Sequence, residues 1–128
     1  MAAGLAALLP NLLQQASGQS SKVSPVFKQE LPNLMMDGWV ATASEVSYEP
    51  GAESKRHQHG GLVLGYILEG DVRFQIEGKP EVVYHTGQMF YEPPGAIHAV
   101  SANASKTKPA RLLAIVFVQK GKDVTTVL

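Results

Sequence analysis

Histidine is the residue type through which this chain of 128 residues is best equipped to do chemistry. The chain has four histidines and no cysteine, so disulfides, thiolate metal clusters and a cysteine nucleophile are excluded. His57 and His59 form an H-x-H pair, and residues at this spacing in a β-strand point to the same face. Neutral imidazole is a common ligand of Zn, Fe, Ni and Cu. The pair alone is a weak signal, because two exposed histidines in a glycine-rich loop would look the same.

Glycine and proline residues frame the histidines at fixed distances. The first run consists of Gly51, five residues, His57-Gln58-His59, ten residues and Gly70. A second run leads to a third histidine, and it consists of Gly87, five residues, Pro93, one residue, Gly95, two residues and His98. This many fixed positions in one order argue against coincidence.

The two runs resemble the two signature motifs of the cupin superfamily. The resemblance covers about Gly51 to Asn103 and implies an all-β double-stranded β-helix, the cupin or jelly-roll barrel, in a small single-domain member. It implies that His57, His59 and His98 bind one divalent metal ion inside the barrel. The ion would be Fe, Mn, Ni or Zn, and neither another cofactor nor a catalytic residue is assigned.

Two positions depart from the family pattern. The glutamate of the first motif would fall at position 63, where this chain has Val63, and Leu64 follows it. The asparagine that closes the second motif would fall at Ala102, and Asn103 stands one residue later. The chain is therefore identified as a three-histidine variant without the first-motif glutamate. Glu92, just before a Pro-Pro-Gly turn, is predicted to be a solvated turn carboxylate, with a position at the mouth of the cavity as the alternative.

The function that this resemblance implies is metal-dependent chemistry on a small organic molecule. Three-histidine cupins include oxygenases, so a dioxygenase-type enzyme is one hypothesis, and a non-catalytic barrel that binds or senses a small ligand is the alternative. Without the acid at position 63, metal-centred redox chemistry or binding is favoured over carboxylate-dependent isomerisation. The superfamily also implies a homodimer. Zero net charge and a pI of about 6.9 argue against nucleic-acid partners.

The elements that must position the histidines are predicted to be strands. From Lys22 onward, short runs rich in β-branched and aromatic residues alternate with Gly and Pro turns, as is typical of an all-β sandwich or barrel. The predicted strands are Val26–Leu31, Trp39–Tyr48, Leu62–Leu68, Val72–Glu77, Glu81–His85, Met89–Glu92, Ile97–Ser101, Arg111–Val118 and Val124–Val127. His98 and Val100 are expected to share a face of their strand. Short connections at Gly70 and Gly78 predict antiparallel hairpins.

Residues 1–21 differ in composition from residues 22–128, which form the predicted barrel domain. No charged side chain precedes Lys22, and Ala2–Leu13 is an apolar run interrupted by Pro10. The run is too short to span a membrane, and it resembles part of a secretory signal but lacks the basic start. The hypotheses are a remnant of an export signal, or an arm that packs on the domain or on a second copy. Both a periplasmic or exported location and a cytoplasmic one are therefore left open.

Overall fold

The computed structural model describes residues 20–128, and within that range every regular element is a β-strand. The nine strands are β1 (Trp39–Tyr48), β2 (His57–His59), β3 (Leu62–Glu69), β4 (Asp71–Ile76), β5 (Val82–His85), β6 (Met89–Glu92), β7 (Ile97–Asn103), β8 (Ala110–Gln119) and β9 (Thr125–Val127). Nearly all of the predicted N-terminal tail, residues 1–21, lies outside the described residues. No helix in residues 20–128 is long and apolar enough to cross a membrane.

The strands form two sheets that face each other. The order in the four-stranded sheet is β1-β8-β3-β6, and the order in the five-stranded sheet is β5-β4-β7-β2-β9. Every pairing is antiparallel. The prediction of an all-β double-stranded β-helix is confirmed.

Strict alternation of apolar and polar residues explains how the sheets enclose a core. In β4 the side chains of Val72, Phe74 and Ile76 are buried, whereas Arg73 and Gln75 between them are only partly covered. Successive strand residues point to opposite faces, so such a strand covers the interior with one face and meets solvent with the other. The largest fully buried side chains are Phe90, Ile67, Val63 and Val72.

One predicted strand and one predicted hairpin are wrong. Val26–Leu31 pairs with no strand among residues 20–128, and most of its side chains are exposed, because a strand requires hydrogen bonds to a neighbouring strand as well as a suitable composition. The connection at Gly78 is a hairpin as predicted, since it joins the paired strands β4 and β5. The connection at Gly70 instead crosses between the two sheets. Gly70 has φ +74°, and a Cβ there would lie 2.6 Å from the Pro109 carbonyl oxygen, so this sharp crossing requires glycine.

A β-bulge in β7 changes which of its residues face inward. Opposite β7, Gln75 pairs with Val100 and the next residue, Ile76, pairs with His98, so one residue of β7 is left over between them. A bulge of this kind shifts the alternation by one. His98 and Ser101 are consequently both buried, and the prediction that His98 shares its face with Val100 is wrong.

Candidate functional site

Two adjacent strands of the five-stranded sheet bring the three predicted histidines together. His57 and His59 lie on β2, and His57 pairs directly with His98 on β7. One ligand atom from each of the three side chains lies within 4.8 Å of the other two. The ring centroids of His57 and His59 are 4.8 Å apart, and those of His57 and His98 are 4.9 Å apart.

Backbone carbonyls fix the orientation of the first two rings. Nδ1 of His57 donates to the Lys55 carbonyl oxygen at 2.7 Å. Nδ1 of His59 lies 3.0 Å from the Val124 carbonyl oxygen, to which it can donate, and 3.0 Å from the Thr125 hydroxyl. With the proton on Nδ1, the Nε2 atom of each neutral ring presents a lone pair. The two Nε2 atoms are 3.2 Å apart. Two lone pairs this close repel each other unless a cation or a shared proton lies against both.

His98 is the most deeply buried member of the cluster. It is 4% exposed, and among residues 20–128 neither of its ring nitrogens has a well-aligned hydrogen-bond partner, although Nδ1 lies 3.2 Å from Oε1 of Glu92. Its ring packs against Phe74 with centroids 4.6 Å apart. Burial, with smaller effects from His57 and His59, lowers the pKa of His98 to about 3, so the ring is neutral at ordinary pH. Buried polar atoms are rarely left unpartnered, and a neutral imidazole without a partner is a ready metal ligand.

The distance between His57 and His59 fits two neighbouring ligands of one metal ion, and His98 brings a third ligand atom within 4.8 Å of both. Donor atoms bound to one ion at about 2.0–2.2 Å lie about 3–3.5 Å apart when they are neighbours in its coordination shell. The 3.2 Å between the Nε2 atoms of His57 and His59 agrees with that spacing. Carbonyl acceptors on the opposite ring nitrogens are the usual outer support of metal-binding histidines.

Glu92 lies in the site, where the sequence analysis placed a solvated turn residue, and that prediction is wrong. The side chain is 3% exposed, because Glu92 is the last residue of β6 and points inward. Its Oε1 lies 3.2 Å from Nδ1 of His98, and its Oε2 lies 3.8 Å from Nε2 of His59. Burial raises the pKa of Glu92 to about 8. Alternation along β6 could have predicted this position: Phe90 is a core residue, and Glu92, two residues later, faces the same side of the strand.

A small cavity of about 70 Å³ adjoins the cluster. Its lining includes three hydroxyl groups that the sequence analysis did not single out: Tyr48 Oη is 2.7 Å from Ser54 Oγ and 2.7 Å from Ser101 Oγ. A wider and more open space of about 360 Å³ shares His57, His59 and Ser54 in its lining. The cluster therefore faces a narrow inner chamber with an open approach.

The remaining histidine and the residue between the pair lie outside the site. His85 is exposed on β5, and its Nδ1 is 2.6 Å from Asp71 Oδ1. Gln58 donates to the Gly95 carbonyl oxygen at 2.8 Å and so points away from the cluster, as alternation predicts. Val63, at the position of the family glutamate, is fully buried in the wall.

Comparison with known proteins identifies the fold. The profile of the family described as Cupin domain matches residues 44–116, more than half of the chain. No curated protein sequence is significantly similar to the chain. Solved structures that resemble it include a cupin-like protein from Thermotoga maritima, at 19% identity and a TM-score of 0.59, over 82% of this chain and 89% of that one.

Two further similar structures are of enzymes. An oxalate oxidase in complex with the substrate analogue glycolate has 18% identity and a TM-score of 0.58, over 80% of this chain and 63% of its own. A DMSP lyase has 20% identity and a TM-score of 0.57, over 69% of this chain and 44% of its own. The chain thus spans less than two thirds of either enzyme chain. At these identities the likeness is one of fold.

Proposed function

Because the chain belongs to the cupin domain family, we propose that His57, His59 and His98 bind one divalent metal ion in the barrel interior. We further propose that the protein is a metal-dependent, dioxygenase-type enzyme that acts on a small organic molecule. Fe, Mn, Ni and Zn are the candidate ions. A bound iron would supply redox chemistry and a bound zinc would supply Lewis-acid chemistry.

The observation that carries the metal proposal is the pair of facing Nε2 atoms. Both rings are held by backbone carbonyls at Nδ1, so each Nε2 lone pair is aimed at the other across 3.2 Å. The unpartnered nitrogens of His98 lie beside them. A cation removes the repulsion and satisfies the orphaned nitrogens together, whereas a hydrogen bond between neutral rings would require one of them to change its tautomer.

The chain's own residues define what a substrate would meet. The inner cavity of about 70 Å³ is much smaller than the several hundred Å³ of an ordinary ligand site, so only a few substrate atoms fit beside the histidines. The rest of the molecule would occupy the open space of about 360 Å³, where Lys55 is a lining residue. The linked hydroxyls of Tyr48, Ser54 and Ser101 can donate or accept hydrogen bonds at the inner end. The two enzymes of similar fold, one with bound glycolate, support a small substrate.

Metal analysis tests the first part of the proposal. The wild-type protein and a His57→Ala, His98→Ala double variant are purified without chelator, and bound metals are measured by mass spectrometry. We expect close to one ion per wild-type chain and almost none in the double variant. Equal metal content in the two proteins would overturn the metal proposal. His85→Ala is the matched control, because it removes an exposed histidine outside the site and should leave the metal content unchanged.

Oxygen uptake tests the proposal that the protein is a dioxygenase-type enzyme. The iron-loaded protein is assayed against thiols, diketones and catechols, with the His98→Ala variant as the blank. Uptake that depends on both substrate and His98 supports a dioxygenase. Saturable binding of such molecules without uptake would replace this proposal with the alternative, a non-catalytic barrel that binds or senses a small ligand.

A homodimer is part of the proposal because the family resemblance implies one. The outer side of the four-stranded sheet offers an apolar groove of about 210 Å³ lined by Leu62, Leu64 and Phe117 and by the extended segment 31–36. Sedimentation velocity is expected to show a species of twice the chain mass. A purely monomeric protein at high concentration would contradict this part.

A further inference from the structure

The residue opposite the missing family glutamate is itself a glutamate. Val63 on β3 pairs in register with Glu92 on β6. Side chains directly opposite each other in an antiparallel pair lie on the same face, with Cβ atoms about 5 Å apart. Both are buried, Val63 completely and Glu92 to 3% exposure. A carboxylate lost from β3 is therefore present at the same level of the barrel on the next strand.

The Glu92 carboxylate is aimed at the histidine cluster. Its Oε1 atom lies 3.2 Å from Nδ1 of His98, and its Oε2 atom lies 3.8 Å from Nε2 of His59. Oε1 is fully buried and has no hydrogen-bond partner in the part of the chain that the structure describes, and the nitrogens of His98 beside it have none either. Among residues 20–128, no lysine or arginine forms an ion pair with this carboxylate. Buried carboxylates ordinarily have a cationic or hydrogen-bonding partner.

We propose that Glu92 is a fourth protein ligand of the metal ion, so that the site is a three-histidine, one-carboxylate site whose acid comes from β6. This inference rests on the proposed metal binding by the histidines. Three neutral imidazoles leave the full double charge of the ion in a buried place, and one carboxylate halves it. The same ion would give the buried Oε1 atom its missing partner.

The site therefore differs from the three-neutral-ligand site that the sequence implies. The carboxylate binds from the side of β6, so one fewer coordination position is open to substrate. The wall at Val63 stays apolar. The available space next to the ion thus lies toward the hydroxyls of Tyr48 and Ser101.

Cobalt(II) titration followed by visible absorption tests the proposal, since it reports affinity and coordination independently of activity. Glu92→Gln keeps the size and removes the charge. We expect it to weaken cobalt binding at least about 10-fold, the lower end of what loss of even an outer partner costs, and to change the d–d spectrum. Glu45→Gln, at an exposed carboxylate on β1, is the matched control and should change neither.

A swap variant shows whether the site needs the charge at this level of the barrel. In Glu92→Val with Val63→Glu, one buried carboxylate is retained but moves to the paired position on β3. We expect the swap to recover most of the affinity that Glu92→Val alone loses. The swap also serves if Glu92→Gln fails to fold, which circular dichroism of each variant would show.

The outcomes separate this inference from the proposed function. If the wild type binds cobalt no better than His98→Ala, metal binding itself fails. If the wild type binds and Glu92→Gln binds equally well with the same spectrum, the three-histidine site stands and the fourth ligand is wrong. Weaker binding by Glu92→Gln with an unchanged spectrum would likewise overturn direct ligation, because Glu92 would then act only on the histidines.

Discussion

The two ends of the barrel interior differ in the side chains that they bury: those at one end are apolar, and those at the other include polar atoms. At one end, Ile67, Val72 and Phe90 pack against apolar neighbours and leave no polar atom unpaired. At the other end, His98 and Glu92 are as deeply buried as the apolar core, yet three of their side-chain atoms have no well-aligned hydrogen-bond partner in the described part of the chain. Phe74 and Phe90 lie at the boundary, because the Phe74 ring packs against both Phe90 and His98, and Phe90 belongs to the apolar core while also lining the inner cavity beside the histidines.

This difference indicates that the apolar end stabilises the fold and that the histidine end is suited to binding a ligand. Apolar burial is favourable by itself, at about 25 cal/mol per Å² removed from water. A buried polar atom without a partner costs about 1–3 kcal/mol, so the histidine end lowers the stability of the metal-free fold. An ion that binds only the folded state would raise the free energy of unfolding instead.

Truncating the apolar end should have the largest effect on stability. Phe90 is 2% exposed, lies 4.5 Å from Phe74 between ring centroids, and covers Gly65 so closely that an added methyl group would overlap it. We expect Phe90→Ala to lower the free energy of unfolding by about 3–5 kcal/mol in denaturant titrations. Val82→Ala, at an exposed site, should change it by less than about 0.5 kcal/mol. A cost for Phe90→Ala as small as that of Val82→Ala would contradict the contrast between the two ends.

Metal addition should act on the histidine end alone. At a free metal concentration of 100 times Kd, we expect the free energy of unfolding to rise by about 2.7 kcal/mol, because only the folded chain assembles the site. The same addition should leave His98→Ala unchanged. Calorimetry or thermal unfolding with and without metal measures both values. An equal rise in wild type and His98→Ala would show that the ion binds elsewhere.

The metal-free protein should lose stability as the pH rises from about 6.5 to 8. Burial raises the pKa of Glu92 from its usual 4.5 to about 8, so in this range the folded state holds a proton that the unfolded state has released. The free energy of unfolding then falls by up to about 1.4 kcal/mol per pH unit. His98, whose pKa is lowered to about 3, acts oppositely, mainly below about pH 7, where acidification destabilises the fold because the unfolded chain takes up the proton with its ordinary pKa of 6.5.

Comparison with Glu92→Gln isolates this effect. The variant has no carboxyl proton at that position, so its stability should not fall between pH 6.5 and 8 in chelator; it should rise slightly, by about 0.4 kcal/mol for each of His59 and His98, as the unfolded chain releases its remaining histidine protons. The other ionisable groups facing Glu92 are His59 and His98, and burial lowers the pKa of both, so neither gains a proton on folding in this range. Equal slopes in wild type and variant would be incompatible with a buried protonated Glu92.

The sequence predicted the fold and the histidines because both depend on local pattern. Trp39–Tyr48 and Met89–Glu92 have the predicted bounds, since apolar alternation and flanking turns determine where a strand begins and ends. The motif spacing likewise selected the three histidines that the structure brings together. Val26–Leu31 failed because the existence of a strand also requires a partner, and partners are not a local property.

Cross-strand relations explain what the sequence analysis missed at the site. The turn that follows Glu92 predicts a solvated carboxylate, whereas its burial comes from its position opposite Val63 in the pairing of β3 with β6. Likewise, the bulge in β7 depends on the register with β4, and it alone allows both His98 and Ser101 to face inward. The paired residues in these cases are 22 or more positions apart, so only the sheet order and register reveal them.

Tyr48 contacts both ends of the interior, and its substitution should change the free energy of unfolding least among these predictions. Its ring belongs to the apolar core, and its hydroxyl bonds to Ser54 and Ser101 beside the histidines at 2.7 Å each. We expect Tyr48→Phe to lower the free energy of unfolding by about 1 kcal/mol, because the ring packing is kept while the two serine hydroxyls lose a partner. Cobalt affinity should stay within about 2-fold of wild type, since no ligand is touched. A loss of 3 kcal/mol or more, at the level of a core truncation, would mean that this hydroxyl network holds the fold together and that the two ends are not separate.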